Sequence, residues 1–436
     1  MPTPPPAART RADACPGVLA PHDAADGALA RVRLPGGVVA AAQLRVLAAC
    51  AEELGDGAVH LTSRGNLQLR GLDREDPRLV SRLTAAGLVP APTHERVRNV
   101  LASPLSGLTG GRADVRGLAR ALDEALCTRP ALADLPGRFL FALDDGSGDV
   151  AAERPDLCWV ATAADEGFLQ VAGVSTAVTC APTAAPALLV AAAEVFLTLR
   201  EEERAGCTGA WRAAEVPDAP ARIAAALLRE SGDPAPGAAS SGGASREIPQ
   251  RESGVLEARV ASSGAASRAL PHPGTRTPIG PIPRDDGGEA LGVAPVLGEI
   301  SAAQLRGLAA AAPETIVTPW RTLVLPDPAP DARQRLRAHG FVLAADAPAL
   351  AVSACAGRPG CAKSHADVRA DVRAVLAGTG ALPRAHVVGC VRRCGAPHEA
   401  HLDVVALPDG TYRLDDRTVP DLSTALTPTP AGDTPA

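Results

Sequence analysis

The sequence is poor in aromatic residues, in lysine and in long apolar runs. Aromatic side chains make up 2% of the 436 residues, so alanine, valine and leucine must fill the cores. The formal net charge is -6, which argues against a nucleic-acid-binding protein because such proteins normally carry a basic face. Nearly all of the positive charge is arginine, whose planar fork pairs with carboxylates and phosphates. Individual arginines are therefore candidates for binding an anionic small molecule.

Signals for secretion or membrane insertion are missing as well. No apolar stretch approaches the roughly 20 residues that span a bilayer, and the N-terminus carries Pro4-Pro5-Pro6 where a signal peptide has an apolar core. We therefore expect a cytoplasmic protein with no membrane partner. In a reducing compartment, clustered cysteines indicate metal ligands or catalytic thiols and not disulfides. Six of the ten cysteines stand singly and are predicted to be buried or incidental: Cys15, Cys50, Cys127, Cys158, Cys180 and Cys207.

A weak internal repeat divides the chain into two halves. Each copy reads as strand, helix and strand, with Ala-Ala-Gln-Leu-Arg in the helix at 41–45 and again, as the same five residues, at 302–306. Each copy ends in a Thr-x4-Leu-x-Leu strand, beginning at Thr62 and Thr318, with an arginine two or three residues after the threonine. The repeat predicts a duplicated α+β fold. Between the copies, glycine, serine, proline, alanine and arginine dominate without a period, which is typical of a linker.

Four cysteines are clustered near the C-terminus as a Cys-x5-Cys pair and, 28 residues later, a Cys-x3-Cys pair: Cys355, Cys361, Cys390 and Cys394. Four thiolates are the usual ligand set of a 4Fe-4S cluster, and nearby glycines let backbone amides approach its sulfides. The flanking glycines are Gly357, Gly360, Gly389 and Gly395. Structural zinc is the alternative, but zinc sites favour two to four residues between paired cysteines, so the first gap fits poorly. The spacing favours the cluster.

These cysteines, the strand 62–68 and the segment 98–104 together resemble the nitrite and sulfite reductase superfamily. The resemblance covers about residues 20–225 and 278–425. It implies a pseudo-twofold α+β architecture with two ferredoxin-like halves and two halves that bind a cluster or a tetrapyrrole, the tetrapyrrole lying between them. In the reductases the last cysteine, which matches Cys394, also bridges the cluster to sirohaem iron.

The expected organisation follows from the linker and the resemblance. It consists of a disordered tail at 1–19, a first ferredoxin-like half at 20–92, a first reductase-like half at 93–231, a flexible linker at 232–277, a second ferredoxin-like half at 278–346, a 4Fe-4S-binding half at 347–425 and a disordered tail at 426–436.

One departure from the reductases bears on the reaction. Reductases carry a Pro-Arg-Lys-Phe-Lys segment whose lysines face the bound oxyanion, and the matching segment is Pro136-Gly137-Arg138-Phe139-Leu140. Arg138 and Leu140 replace the two lysines, so the cationic cage for oxyanion reduction is incomplete.

Within the superfamily, the segments 63–68 and 318–321 are closer to precorrin-3B synthases of aerobic cobalamin biosynthesis. That resemblance implies a 4Fe-4S cluster, a non-haem iron, and dioxygen and a reductant as co-substrates. It implies hydroxylation of the tetrapyrrole precorrin-3A at a meso carbon with lactone formation, with electrons from a donor protein or an NAD(P)H-linked reductase. Arginines matched to the substrate carboxylates are Arg64, Arg98, Arg138 and Arg321.

The sequence leaves the catalytic residues and the iron ligands open. The sequence does not select one set of iron ligands among the available histidines, which are His60, His386, His398 and His401. The run His398-Glu399-Ala400-His401 is interpreted as a surface loop. Two alternatives to the oxygenase also stay open. One is a sirohaem-dependent sulfite or nitrite reductase, and the other is a non-catalytic iron-sulfur electron carrier.

Overall fold

The computed structural model describes residue 13 and residues 15–203, 209–230, 259–260, 279–378, 380–397 and 400–427. Most of the predicted tail at 1–19, nearly all of the linker at 232–277 and most of the tail at 426–436 lie outside the described residues. The same is true of Cys207, His398 and Glu399. Val18, at the end of the predicted first tail, is described and buried.

Helices and strands alternate along the chain. The helices of the described part are α1 Ala41–Leu54, α2 Arg78–Ala85, α3 Arg116–Cys127, α4 Ala185–Glu202, α5 Ala219–Glu230, α6 Ala302–Ala311, α7 Ala332–Ala338, α8 Val368–Gly378 and α9 Leu422–Leu426. The strands up to the linker are β1 His22–Ala24, β2 Gly27–Val32, β3 Val38–Ala40, β4 Ala58–Leu61, β5 Leu67–Leu72, β6 Val100–Ala102, β7 Phe141–Asp144, β8 Leu157–Ala161, β9 Gly167–Val171, β10 Val174–Cys180 and β11 Arg259–Val260. The later strands are β12 Gly280–Pro283, β13 Glu289–Val293, β14 Glu299–Ser301, β15 Glu314–Val317, β16 Leu323–Leu325, β17 Val352–Ala354, β18 Ala385–Val388, β19 Leu402–Ala406, β20 Tyr412–Leu414 and β21 Arg417–Val419.

The chain divides into two compact units. The first unit takes in Met1–Cys15, Arg33–Gly37 and Pro90–Arg276, and the second takes in Pro16–Val32, Val38–Val89 and Thr277–Ala436. The second unit therefore contains the second predicted ferredoxin-like half, the first one apart from Arg33–Gly37 and residues 90–92, and the cysteine-rich segment. The first unit contains the remaining α+β half.

The two ferredoxin-like halves of the second unit exchange a strand. One antiparallel sheet has the order β1-β2-β5-β4-β14 and the other has the order β12-β13-β16-β15-β3. Strand β14 of the second copy pairs with β4, and β3 of the first copy pairs with β15. Each edge strand thus satisfies its backbone groups in the sheet of the other copy. The duplicated α+β architecture predicted from the sequence is confirmed.

The repeated Ala-Ala-Gln-Leu-Arg sequence has a physical reason in both copies. The Gln304 side chain accepts a hydrogen bond from the Ser301 amide at 2.9 Å, and Gln43 accepts one from the Ala40 amide at 3.0 Å, so each glutamine caps its helix. The arginine that follows reaches the other helix. Arg45 donates to the Ala309 carbonyl at 3.2 Å, and Arg306 forms an ion pair with Glu52.

A second pair of sheets repeats one topology. In the first unit, β6, β7 and β8 are parallel, and β9, β10 and β11 extend the sheet in antiparallel pairs. In the second unit, β17, β18 and β19 are parallel and β20 and β21 extend that sheet in the same way. Helices α3, α4 and α5 cover the first sheet, and α8 and α9 cover the second.

Helix α4 corrects one expectation. The segment Pro182–Glu202 is long and apolar enough to cross a membrane by length and composition, although no such stretch was expected. Half of it is buried, and its large side chains, such as Leu188, Leu189 and Phe196, belong to the core of the first unit. This segment therefore packs as the core helix of an α+β domain.

The two Thr-x4-Leu-x-Leu turns have the same backbone geometry. The Thr62 amide donates to the Asn66 carbonyl at 3.0 Å, and the Thr318 amide donates to the Thr322 carbonyl at 3.0 Å. The left-handed position falls on Gly65, with φ 61°, in one turn and on Arg321, with φ 59°, in the other. Arg321 is therefore equivalent to Gly65 and not to Arg64, and the two arginines of the repeat are not counterparts.

Candidate iron-sulfur site

Two of the clustered cysteines follow neighbouring parallel strands. Strand β17 ends at Ala354, directly before Cys355, and β18 ends at Val388, two residues before Cys390. Because the carboxyl ends of parallel strands meet at one edge of a sheet, the loops that carry Cys355 and Cys390 start side by side. The Gly389 amide donates to the Cys355 sulfur at 3.3 Å.

The four thiols form one electrostatic group. Burial raises the pKa of the Cys394 thiol, and the neighbouring Cys355, Cys390 and Cys361 thiols raise it further. Cys394 itself is exposed and the other three are partly buried. Like-charge repulsion among thiolates would be relieved by a bound cation, so this grouping fits a metal site.

Glycines leave the space that the cysteine loops need. An added Cβ at Gly389 would lie 1.7 Å from Ser364 Oγ, and one at Gly360 would lie 2.7 Å from an Arg70 nitrogen. Gly357 and Gly395 have φ of 66° and 79°, in the left-handed region. Four soft sulfur donors, one of which accepts a hydrogen bond from a backbone amide, match the ligand set of a 4Fe-4S cluster, and the described residues therefore fit that group.

Arg70 ties the Cys361 loop to a ferredoxin-like sheet. Its side chain is buried, pairs with both carboxylate oxygens of Asp26 at 2.9 and 3.0 Å, and donates to the Gly360 carbonyl at 2.6 Å. Sequence reasoning missed Arg70, since nothing in its local pattern shows that a residue 290 positions away is its partner.

Arg321 lies against the other cysteine loop. Its Nη2 is 3.4 Å from the Gly395 carbonyl, next to Cys394, and its aliphatic carbons pack on Gly298. Burial lowers the pKa of Arg321, and the charge of Arg369 lowers it further. A desolvated cation beside a second cation favours an anion as its neighbour.

The other three predicted arginines have different surroundings. Arg64 is half-buried in the Thr62 turn, whose threonine Oγ1 accepts hydrogen bonds from the Arg64 and Asn66 amides. Arg98, in the first unit, is buried and makes two 2.6 Å hydrogen bonds to the carboxylate of Asp123. Because this bidentate pair occupies its fork, Arg98 is a weak candidate for binding a substrate carboxylate.

In the Pro136–Leu140 segment of the first unit, the two positions that differ from the reductases, Arg138 and Leu140, have different surroundings. Arg138 is exposed, and its guanidinium lies 5.1 Å from the centre of the Trp211 ring, a cation–π contact. Leu140 is buried in a small apolar cluster, and its amide donates to Asp156 at 2.8 Å. A lysine side chain at position 140 would have to enter that cluster.

The first unit carries a counterpart of the cysteine loops. The Ser103 amide donates to the Leu143 carbonyl as the Cys355 amide donates to the Val387 carbonyl. The Asp145 amide donates to Ser103 Oγ at 3.1 Å, as the Gly389 amide donates to the Cys355 sulfur. Ser103 therefore occupies the position of Cys355, and the fold itself places a polar atom there in both sheets.

The described histidines do not form the expected non-haem iron site. The nearest arrangement places His401 Nε2 3.5 Å from the Asp403 carboxylate and the His401 ring 5.8 Å from the His386 ring. His60 has Asp56 at 2.9 Å from Nε2 and Arg369 at 3.2 Å from Nδ1. His386 has Ser353 at 2.8 Å from Nδ1 and the Cys394 carbonyl at 3.1 Å from Nε2. In the part of the chain that the structure describes, the group of three metal-ligating side chains within 4.8 Å is Asp144, Asp145 and Asp149, which offers no imidazole. A site of two histidines and a carboxylate is therefore not formed by these residues.

One family model and several known proteins match parts of the chain. Residues 22–86 match the nitrite/sulfite reductase ferredoxin-like half domain. A ferredoxin–nitrite reductase of Leptolyngbya laminosa is 35% identical over 139 residues, 30% of this chain. The chain spans about a quarter of the length of that reductase and of a second one from Synechococcus elongatus, 27% in each case.

Two further relatives cover much more of the chain. A precorrin-3B synthase of Sinorhizobium sp is 27% identical over 424 residues, 92% of this chain and 82% of the relative. The solved structure of Mycobacterium tuberculosis NirA protein superposes with a TM-score of 0.65 at 20% identity, over 90% of this chain and 73% of NirA, which shows a shared fold. The chain thus shares the fold of NirA, matches the nitrite/sulfite reductase ferredoxin-like half domain over residues 22–86, and is similar to a precorrin-3B synthase over nearly its whole length.

Proposed function

We propose that this protein is a precorrin-3B synthase, an iron-sulfur monooxygenase that hydroxylates precorrin-3A at a meso carbon and closes a lactone. The observation that carries the proposal is the similarity to a precorrin-3B synthase over 92% of the chain, against 30% for each of the two nitrite reductases described above. The duplicated ferredoxin-like halves support it further, since an electron carrier has no need of them.

The proposed oxygenation needs an external reductant to balance its electrons. One atom of dioxygen enters the macrocycle as a hydroxyl group, the other leaves as water, and an external donor supplies two electrons and two protons. An acetate carboxyl group then adds to an electrophilic ring carbon of the macrocycle: the C–O bond of the lactone forms, a π bond at that carbon breaks, and the carboxyl proton passes to the other atom of that π bond. A cluster held by Cys355, Cys361, Cys390 and Cys394 would supply single electrons from the donor. No step is assigned to a non-haem iron, because the described histidines do not form its site.

Arginines of the second unit would position the substrate. A tetrapyrrole with several acetate and propionate groups needs cationic partners, and Arg321, held against Gly298 and Gly395, presents a desolvated cation next to Cys394. Arg64 is proposed as a second partner. Fixing one acetate near an electrophilic carbon is a positioning effect, which lowers the barrier to ring closure.

The alternative of a sirohaem reductase is disfavoured by Leu140. Its burial in an apolar cluster leaves that position of the oxyanion cage without a cation. A proton-coupled reduction of sulfite or nitrite needs cationic groups aimed at the developing charge.

The test is anaerobic purification followed by iron, sulfide and visible-absorption analysis, and then incubation with precorrin-3A, a reductant and oxygen with mass detection of the product. We expect about four irons and four sulfides per chain, no sirohaem bands, and a product one oxygen atom heavier that forms only when oxygen is present. Sirohaem bands with sulfite- or nitrite-dependent turnover would overturn the proposal in favour of a reductase. A cluster without any tetrapyrrole binding would favour an electron carrier.

A further inference from the structure

Arg369 connects a cysteine of the iron-sulfur site to both ferredoxin-like halves. It lies in the first turn of α8, and its Nε donates to the Cys355 carbonyl at 3.1 Å. Its Nη1 donates to Glu299 at 2.6 Å and lies 3.2 Å from the His60 ring. Glu299 opens β14 and pairs directly with His60 of β4 in the exchanged strand. Arg369 therefore contacts the Cys355 loop at the point where β14 of the second copy pairs with β4 of the first.

The Glu299 carboxylate lies between two cations, Arg369 and Arg373. Glu299 accepts from Arg369 through one oxygen and from Arg373, one helical turn later, through the other at 2.7 Å. The Arg369 side chain is 16% exposed and the Arg373 side chain is 46% exposed. Arg369 is thus the more desolvated cation of the two and the one that contacts a cysteine residue, so its charge acts on the site with less solvent screening.

A 4Fe-4S cluster on four thiolates is an anion, and its potential depends on hydrogen bonds and on nearby charge. A neighbouring cation favours the more negative, reduced form, and a neighbouring carboxylate disfavours it. We propose that Arg369 is a positioning residue of the iron-sulfur site that fixes Cys355 and raises the reduction potential of the cluster, with Glu299 as the opposing charge. This inference rests on the proposed cluster, and it concerns the tuning of that cluster and not the identity of the substrate.

The experiment is a redox titration of the cluster in the full-length protein, followed by its absorption and by the EPR signal of the reduced form. Arg369→Met removes the cation, and we expect a more negative potential. Glu299→Gln removes the opposing charge, and we expect a more positive one. A single nearby charge changes an ionisation equilibrium by about one to three powers of ten, and we expect the lower end, about tenfold, which is about 59 mV for one electron.

Two further variants separate charge from hydrogen bonding. Arg373→Met is the matched control, since Arg373 shares the Glu299 partner without touching a cysteine residue, and its shift should be much smaller. Arg369→Lys keeps the charge but loses the forked donation, so we expect it to restore most of the potential while the EPR line shape stays altered.

Shifts of the same sign in Arg369→Met and Glu299→Gln, or no shift in either, would overturn the inference and leave Arg369 a purely structural residue. If Arg369→Met does not retain iron, the sign of the Glu299→Gln shift decides alone, and a negative or absent shift refutes the inference. Wild-type protein that binds no iron and sulfide would overturn the cluster assignment itself. That failure is visible before any variant is made.

Discussion

The close approach of Gly389 to Ser364 gives a sharp test of the cysteine loops. A Cβ at position 389 would lie 1.7 Å from Ser364 Oγ, 2.7 Å from its Cβ and 3.2 Å from its Cα. Rotation of the serine side chain cannot relieve the last two contacts. Ser364 is buried, and its amide donates to the Cys361 carbonyl at 3.0 Å, so a displaced Ser364 moves Cys361. Overpacking of this kind costs about 1–3 kcal/mol.

We therefore expect Gly389→Ala to lower the melting temperature by several degrees and to reduce iron and sulfide per chain after anaerobic reconstitution. Gly378→Ala is the control, because an added Cβ there meets nothing within 4 Å. Adding Ser364→Gly to Gly389→Ala should restore part of the cluster content. Gly389→Ala protein with full iron, full sulfide and an unchanged melting temperature would refute the steric reasoning.

Three further predictions follow from the structure. Cys361→Ser should lose the cluster while the folded protein persists, which iron and sulfide analysis beside circular dichroism will show; full retention would remove Cys361 from the ligand set. Arg321→Gly should relieve the left-handed strain, worth about 1 kcal/mol, and yet weaken tetrapyrrole binding about 10- to 100-fold, with Arg321→Lys as control; unchanged affinity would remove Arg321 from the site. Burial and the charge of Asp144 raise the pKa of Asp149 to about 7, so folding takes up a proton and stability should fall as the pH rises from about 4 to about 7. Asp149→Asn should flatten that slope in melting curves, and equal slopes in both proteins would contradict it.

Much of the architecture could be predicted from local sequence. The Ala-Ala-Gln-Leu-Arg motif corresponds to a capped helix, and the Thr-x4-Leu-x-Leu motif corresponds to a turn with a defined hydrogen bond. Both are local structures. The strand exchange could not be predicted, because β3 and β14 are three residues long and their partners are set by tertiary packing. The apolar length of α4 was also missed, since its alanines and leucines read as ordinary core composition.

The candidate site also has some features that local sequence predicts and others that depend on tertiary contacts. Cysteine spacing is a local signal. In the structure the loops that carry Cys355 and Cys390 start at neighbouring strands, and all four thiols are close enough to influence the pKa of Cys394. The guanidinium of Arg98 is paired with Asp123. Arg70 contacts a cysteine loop 290 residues away in the sequence. Arg369 contacts Cys355 from a helix that carries no recognisable motif. Which anion an arginine meets is decided by tertiary contacts, so a motif alone cannot rank the arginines.

The two copies differ in which residues occupy two left-handed backbone positions. Gly36 and Gly65 of the first copy occupy left-handed positions that the second copy gives to Leu297, at φ 57°, and Arg321, at φ 59°. A residue with a Cβ costs about 1 kcal/mol or more in that region, and glycine would remove the cost. Both strained residues lie beside the cysteine-bearing segment: Leu297 belongs to its apolar core, and Arg321 contacts Gly395. Such strain persists where the side chain contributes more than the backbone loses. We propose that the contribution of Arg321 is its cation, which lies 3.4 Å from the carbonyl of Gly395, the residue after Cys394.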